Sequence, residues 1–129
     1  MTKVGEHITL DIIGTTQEYD PSVYESVIHQ IAKAADVTIL EISKYKFKPQ
    51  GFTILALLAE SHISFHTFPE KGIISFDFFT CGKVSPSVAI DIIKREFKHK
   101  RIVKKNLIEI QNLFIMIFIA HQVSKNHML

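Results

Sequence analysis

An apolar run followed by a strictly alternating segment, within residues 53–68, constrains the fold of this chain more than any other feature. The run Thr53–Ala59 is apolar after its first residue, which predicts a buried strand. In the segment that follows, apolar residues at 63 and 65 alternate with polar His62, Ser64 and His66. Because successive side chains of a strand point to opposite faces, these three polar residues share one face and Ser61 lies on the other. The sequence therefore predicts two consecutive strands, the second with a polar face.

The rest of the chain predicts further strands and two helices. Asp20 can accept hydrogen bonds from the free amides of a helix start and Pro21 suits a first turn, so a helix should begin there and end near Ala35. A second helix should follow Ser85-Pro86, with the apolar stripe Val88, Ile92, Ile93 and Phe97. The other strands are predicted over Val4–Ile13, Val37–Tyr45, Ile73–Phe79 and Ile102–Ile110. The order β-α-β-β-β-β-α-β predicts an α+β fold, an antiparallel sheet with two helices packed on one face (an αβ sandwich).

The composition is that of one globular domain, residues 1–129, and we expect no signal peptide. The net charge of +2 is too small to indicate nucleic-acid binding, and the single cysteine suits a reducing cytoplasm. The apolar run Leu113–Ala120 is far shorter than the roughly 20 residues that span a bilayer, so no membrane association is predicted. It lies in an atypical C-terminal tail, residues 112–129, and predicts either another buried segment or a contact between subunits.

Reactive side chains are concentrated at the ends of these strands. Glu60, Ser61 and His66 fall within one short stretch, and Cys81 follows the next strand. One interpretation is a strand end whose polar groups are solvated or satisfied by the backbone, and the other is a catalytic site. Zinc binding is a third use for His62, His66 and Cys81. Since these residues lack the Cys-x-x-Cys or His-x₃-His pairs typical of zinc ligands, no metal site is predicted.

Three sequence blocks favour the catalytic interpretation. They are Ala-Glu-Ser-His at 59–62, His-Thr-Phe-Pro-Glu at 66–70 and Phe-Thr-Cys-Gly at 79–82. In their order and spacing they resemble the core signature of the small prokaryotic S-adenosylmethionine decarboxylase proenzymes, which are pyruvoyl enzymes made by self-cleavage. The resemblance runs from about Val4 to about Arg101 and includes Gly5, His7 and Lys48–Gly51. The residues beyond it do not resemble the family.

The resemblance implies that Ser61 is the precursor of the pyruvoyl cofactor. Its hydroxyl would attack the Glu60 carbonyl and convert the peptide bond into an ester. β-Elimination would then cut the zymogen into residues 1–60 (the β chain) and 61–129 (the α chain), and the dehydroalanine left at residue 61 would be hydrolysed to a pyruvoyl group with loss of ammonia. His66 would be the proton acceptor in this processing, a task that suits imidazole because it exchanges protons near neutral pH.

Further processing groups are expected on the preceding strand. Thr53 stands where the family has a serine whose hydroxyl assists processing. Because a peptide carbonyl is a poor electrophile, oxyanion donors and backbone strain are expected near Gly51–Ile54.

The same resemblance implies roles in catalysis and substrate binding. The substrate would be S-adenosylmethionine, held as a Schiff base, and Cys81 would be the proton donor to its α-carbon after carbon dioxide leaves. Phe47 and Phe68 would stack on the adenine and attract the sulfonium, and Glu70 would accept from the ribose hydroxyls. The product would supply aminopropyl groups for spermidine and other polyamines. We expect a homodimer of αβ protomers in the cytoplasm.

Two other functions remain open at this stage. A relative that decarboxylates arginine or ornithine with the same pyruvoyl group would need an acidic pocket rather than an aromatic one. A non-enzymatic homologue would act as a scaffold or regulatory subunit. The atypical tail and Thr53, which both depart from the family pattern, are compatible with this function.

Overall fold

The computed structural model describes residues 2–111, so the tail at 112–129, with the predicted buried or subunit-contact segment, lies outside the described residues. Six strands, two helices and one 3-10 turn follow each other along the chain. In order they are β1 (Thr2–Ile13), α1 (Pro21–Ala34), β2 (Ile39–Lys46), β3 (Phe52–Leu58), β4 (Ser61–Phe68), the 3-10 turn (Pro69–Lys71), β5 (Ile73–Thr80), α2 (Val88–Glu96) and β6 (Arg101–Gln111). The predicted order of elements is confirmed.

The strands form one antiparallel sheet in the order β2-β3-β4-β5-β1-β6. Consecutive strands β2 to β5 pair as hairpin neighbours, whereas β1 returns to pair with β5 on one side and β6 on the other. The predicted α+β class, with an antiparallel sheet and two helices, is therefore confirmed.

Helix α1 begins where the sequence predicts. The Asp20 carboxylate accepts a hydrogen bond from the Ser22 backbone amide at 2.9 Å, and Pro21 occupies the first turn. The bond from that amide lowers the pKa of Asp20 below its usual value. An acceptor at this position satisfies an amide that has no partner inside the helix, which fixes the start of α1.

The hydrophobic core fills the space between the sheet and the two helices. Aromatic rings form its centre, with Phe65 and Tyr24 at 5.5 Å between ring centroids and Phe65 and Phe97 at 5.7 Å. Each buried aromatic or aliphatic side chain contributes about 1.5–3 kcal/mol. The strand residues that face the helices are Ile8, Leu10, Ile12, Phe52, Ile54, Ala56, Leu58, Ile63, Phe65, Ile74, Phe76 and Phe78.

The prediction that the whole apolar run 53–59 is buried is wrong for its alternate residues. Leu55 and Leu57 are 47% and 51% exposed, whereas Ile54 and Ala56 are fully buried. The reason is that, within residues 2–111, both helices cover the same face of the sheet. We call the opposite face, which carries Leu55 and Leu57, the open face.

Candidate active site

The turn between β3 and β4 consists of Ala59 and Glu60, and Glu60 adopts a left-handed backbone with φ of 60°. A residue with a Cβ pays roughly 1–2 kcal/mol in that conformation. The turn is tethered because the Ala59 amide donates to the Thr38 carbonyl at 2.9 Å. Backbone strain is therefore located at the residue immediately before Ser61.

Ser61 opens β4 on the helix side of the sheet, where it is 7% exposed. Its hydroxyl donates to the Ala59 carbonyl at 3.4 Å. It pairs across the sheet with Leu58 on one side and Thr80 on the other. Cys81 follows Thr80 directly and its side chain is exposed. The structure thus brings Glu60, Ser61 and Cys81 to the same end of the sheet.

A second group of predicted site residues lies at the opposite end of β3 and β4. The Thr53 hydroxyl and His66 Nδ1 are hydrogen-bonded at 2.9 Å, and the Gln50 side-chain amide donates to the Glu70 carboxylate at 3.3 Å. They border a cleft of about 330 Å³. The cleft is lined by Phe47, Gln50, Gly51, Thr53, His66, Thr67, Phe68 and Glu70. We call this the aromatic cleft.

A single chain keeps the two groups apart. Ser61 pairs with Leu58, whereas His66 pairs with Thr53, so they sit five residues apart along β4. At about 3.3 Å per residue this is about 16 Å, and the odd number of residues places the two side chains on opposite faces. The expectation that Gly51–Ile54 lies beside the cleaved bond is therefore wrong within one chain, because that segment pairs with the far end of β4.

The prediction that His62, Ser64 and His66 share one face of β4, opposite Ser61, is confirmed. His62 and Ser64 both reach Asp77 of the neighbouring strand β5, and His66 reaches Thr53 on β3. All of these contacts lie on the open face, which is the polar face that the alternation predicts.

Asp77 has the most side-chain partners of the residues in this region, and the sequence does not single it out. Its carboxylate accepts from His7 Nε2 and from His62 Nε2, each at 2.8 Å, and from the Ser64 hydroxyl. Burial raises the pKa of Asp77, but the hydrogen bonds from Ser64, His62 and His7 outweigh it and hold that pKa below its usual value. The signal that could have found it is the alternation in β5, where Ser75 and Asp77 interleave with three buried residues.

The trio His7, His62 and Asp77 also has one ligand atom each within 4.8 Å of the others, a spacing that could hold a cation. The imidazole nitrogens are, however, already engaged with the carboxylate. Metal-bound histidines normally donate their second ring nitrogen to an acceptor, and no such bond from His7 or His62 occurs among residues 2–111. The absence of a metal site stays a prediction.

A family model described as S-adenosylmethionine decarboxylase matches residues 6–108 of this chain. The match covers both strand ends and the aromatic cleft. The chain belongs to the S-adenosylmethionine decarboxylase family.

Members of this family from distant organisms are similar over most of their length. An S-adenosylmethionine decarboxylase proenzyme of Brevibacillus brevis is 36% identical over 107 residues, which is 81% of this chain and 80% of the relative. A proenzyme of the same description from Methanococcus maripaludis is 36% identical over 120 residues, 88% of this chain and 98% of the relative.

The fold is also that of a solved family structure. The crystal structure of the adenosylmethionine decarboxylase from Aquifex aeolicus superposes with a TM-score of 0.76 at 32% identity, and covers 88% of this chain and 97% of its own. Within the part of the chain that the structure describes, no helix is long and apolar enough to cross a membrane.

Proposed function

We propose that this chain is a pyruvoyl-dependent S-adenosylmethionine decarboxylase that matures by cutting itself between Glu60 and Ser61. The observation that carries the proposal is Ser61 itself, which begins β4 directly behind a residue held in a left-handed backbone. Its product would supply aminopropyl groups for spermidine and other polyamines, and the cytoplasm stays the expected compartment.

Decarboxylation is tested directly by supplying substrate labelled in its carboxyl carbon and trapping the carbon dioxide. S-Adenosylmethionine should release label, while arginine and ornithine should not, because the cleft offers the rings of Phe47 and Phe68 and the single carboxylate of Glu70. Label released only from arginine or ornithine would contradict the choice of substrate. If none of the three compounds releases labelled carbon dioxide, the non-enzymatic role as a scaffold or regulatory subunit would remain.

Processing would begin with rotation of the Ser61 hydroxyl from the Ala59 carbonyl to the neighbouring Glu60 carbonyl. Attack there replaces the peptide C–N bond with an ester C–O bond and frees the amine of residue 61. An ester lets the chain turn more freely than a peptide, so the strain at Glu60 is relieved as the ester forms. The left-handed turn therefore favours cleavage of the Glu60–Ser61 bond over cleavage of the neighbouring peptide bonds.

Replacing Glu60 with glycine should slow self-cleavage, because glycine adopts the left-handed region without strain. The matched control is Glu60→Ala, which removes the same carboxylate but keeps the Cβ. A strain of 1–2 kcal/mol corresponds to about a 5- to 30-fold difference in rate. We expect Glu60→Gly to process more slowly than Glu60→Ala by that factor in a time course of intact mass. Equal rates would remove backbone strain from the mechanism.

A pyruvoyl group at residue 61 would supply the electron sink that decarboxylation needs, through a Schiff base with the substrate amine. The residues around it fit this use, since Cys81 lies one position beyond the cross-strand partner of Ser61. Its exposed thiol can reach a bound substrate and donate a proton to the α-carbon. The aromatic cleft can stack on the adenine between Phe47 and Phe68, while Glu70 accepts from the ribose.

We further propose that two chains pair through their open faces and share each active site. The open face carries exposed apolar residues that need cover, among them Leu55, Leu57, Tyr45 at 65% exposed and Leu107 at 56% exposed. A two-fold axis that runs across the strands reverses their direction. It therefore lays the His66 end of one chain over the Ser61 end of its partner, which removes the separation of about 16 Å along β4. The Ser61 side chain faces the helices, so residue 61 would have to turn toward the open face for the partner's His66 to reach it.

Mixed dimers test this arrangement. His66→Ala alone should process about 10²- to 10⁴-fold more slowly than the parent, as expected for loss of a general base. Ser61→Ala alone should not process at all. When the two variants are co-expressed, the intact Ser61 of one chain meets the intact His66 of the other, so the His66→Ala chain should be cut.

The control is a chain that carries both substitutions. Co-expressed with the His66→Ala chain, it supplies no His66, so the His66→Ala chain should be cut only at the slow rate that it shows alone. Intact mass of the separated chains gives the readout. If His66→Ala matures at the parent rate, or if Ser61→Ala fails to rescue it, the shared site is wrong.

A further inference from the structure

The open face holds a hydrogen-bonded cluster that the proposed chemistry does not use. Three side chains from β1 and β4 converge on the carboxylate of Asp77, which belongs to β5. His7 and His62 both donate to one of its oxygens, and Ser64 donates to the other. Such charge-assisted hydrogen bonds are about twice as strong as neutral ones. The Asp77 carboxylate therefore links β1, β4 and β5 through side-chain contacts.

We propose that Asp77 is a positioning residue, which acts through His62 and His7 to hold the reactive ends of β4 and β5 in register. This inference rests on the proposed function, because it assigns a task within the same site. Asp77 itself touches neither Ser61 nor Cys81. Its effect is transmitted by the two imidazoles and by the ring of Phe79.

The carboxylate fixes the protonation pattern of both imidazoles. An ionised carboxylate only accepts hydrogen bonds, and its lowered pKa keeps Asp77 ionised at neutral pH. His7 and His62 must therefore each carry a proton on Nε2, which sets the tautomer of their neutral forms and the orientation of both rings.

The oriented rings in turn clamp Phe79. The ring of His62 stacks on Phe79 with 6.1 Å between centroids and 23° between planes, and His7 meets it edge-on at 5.8 Å and 89°. Gly5 makes room for this ring, since a Cβ there would lie 2.6 Å from it. Phe79 is therefore held on three sides, two residues before Cys81.

The clamp reaches both reactive residues through the backbone. His62 is bonded directly to Ser61, and it pairs with Phe79 across the sheet. The next pair toward the sheet end is Ser61 with Thr80, after which comes Cys81. Loss of the Asp77 carboxylate frees His62 and Phe79 together, so the spacing between residue 61 and the Cys81 thiol should loosen.

The test is Asp77→Asn, which keeps the size of the side chain but cannot accept both imidazole bonds and the serine bond equally well. A misplacement of about 1 Å can cost about 10²-fold in rate. We expect turnover per processed chain to fall about 100-fold while the KM for S-adenosylmethionine stays within about twofold. The KM should hold because the aromatic cleft is not part of the cluster. The matched control is Asp11→Asn, an exposed carboxylate of the same sheet whose one side-chain hydrogen bond within the described part of the chain comes from Ser75.

Variants of His62 separate positioning from proton transfer. His62→Gln keeps a side-chain N–H that can reach Asp77, whereas His62→Ala keeps none. We expect His62→Gln to restore part of the turnover that His62→Ala loses, because it keeps the bond to Asp77 but not the ring that stacks on Phe79. Equal loss in both variants would make His62 a proton-transfer group and overturn a positioning role.

Three further outcomes would overturn the inference. The first is an Asp77→Asn protein that melts at a lower temperature but keeps the parent turnover per processed chain. The second is an equal loss of turnover in Asp77→Asn and in the control Asp11→Asn. The third is a gain in parent activity with added Zn²⁺ that Asp77→Asn abolishes, since it would assign the trio to a cation. If the parent neither cleaves nor releases carbon dioxide, the proposed function fails instead.

Discussion

Ser61→Ala should remain a single chain of 129 residues, whereas the parent protein should separate under denaturing conditions into residues 1–60 and 61–129. The effect is all or none, because the serine hydroxyl is both the attacking group and the source of the cofactor. Alanine has no oxygen to form the ester and no leaving group for the elimination that breaks the chain. Intact mass spectrometry after purification measures both species directly.

The same experiment examines the new chain end. The 61–129 fragment should resist N-terminal sequencing, because a pyruvoyl group has no free amine. A readable sequence of Ser-His-Ile-Ser would contradict the cofactor even if the cut occurs at the expected bond. Ser26→Ala, on the exposed surface of α1, is the matched control and should process as the parent does.

Cys81→Ala should still cut itself but should lose decarboxylation. Processing depends on Ser61 and on His66, so removal of the thiol leaves maturation intact. The missing proton donor should lower turnover by about 10²- to 10⁴-fold, the usual contribution of a general acid. Carbon dioxide release per processed chain measures this loss.

The variant should also inactivate as it works. A substrate carbon that is not protonated in place can take its proton at another atom, so that its amine stays on residue 61 and leaves an alanine there. Intact mass of the 61–129 fragment, before and after substrate is added, detects the conversion. If the variant turns over at close to the parent rate and the mass of its 61–129 fragment is unchanged, Cys81 is not the proton donor.

The fold was largely predictable because each element carries its own local signal. Asp20-Pro21 predicts the start of α1, and that signal depends only on amides in the first turn. Alternation in β4 predicts the faces of His62 and Ser61, since the side-chain period of a strand is two. The exposure of Leu57 was not predictable in this way, because it depends on which face of the sheet both helices cover.

For the candidate site, the sequence predicts which residues take part but not how the strands arrange them. The resemblance identified Ser61, His66 and Cys81 as one reactive set, yet strand pairing places His66 beside Thr53 and away from Ser61. The alternation in β5 could place Asp77 on the polar face, but not its partners, which are separated from it by 13, 15 and 70 positions. Contacts between strands that are distant in sequence leave no local pattern.

The position of β1 would determine how the two fragments of the proposed cut at Glu60 are related. β1, α1, β2 and β3 belong to the first fragment, and β4, β5, α2 and β6 belong to the second. In the sheet, however, β1 lies between β5 and β6, so a strand of the first fragment is inserted between two strands of the second. Neither fragment can complete a sheet alone. A cut at Glu60 would therefore follow folding, and its product would be two polypeptides that share one sheet.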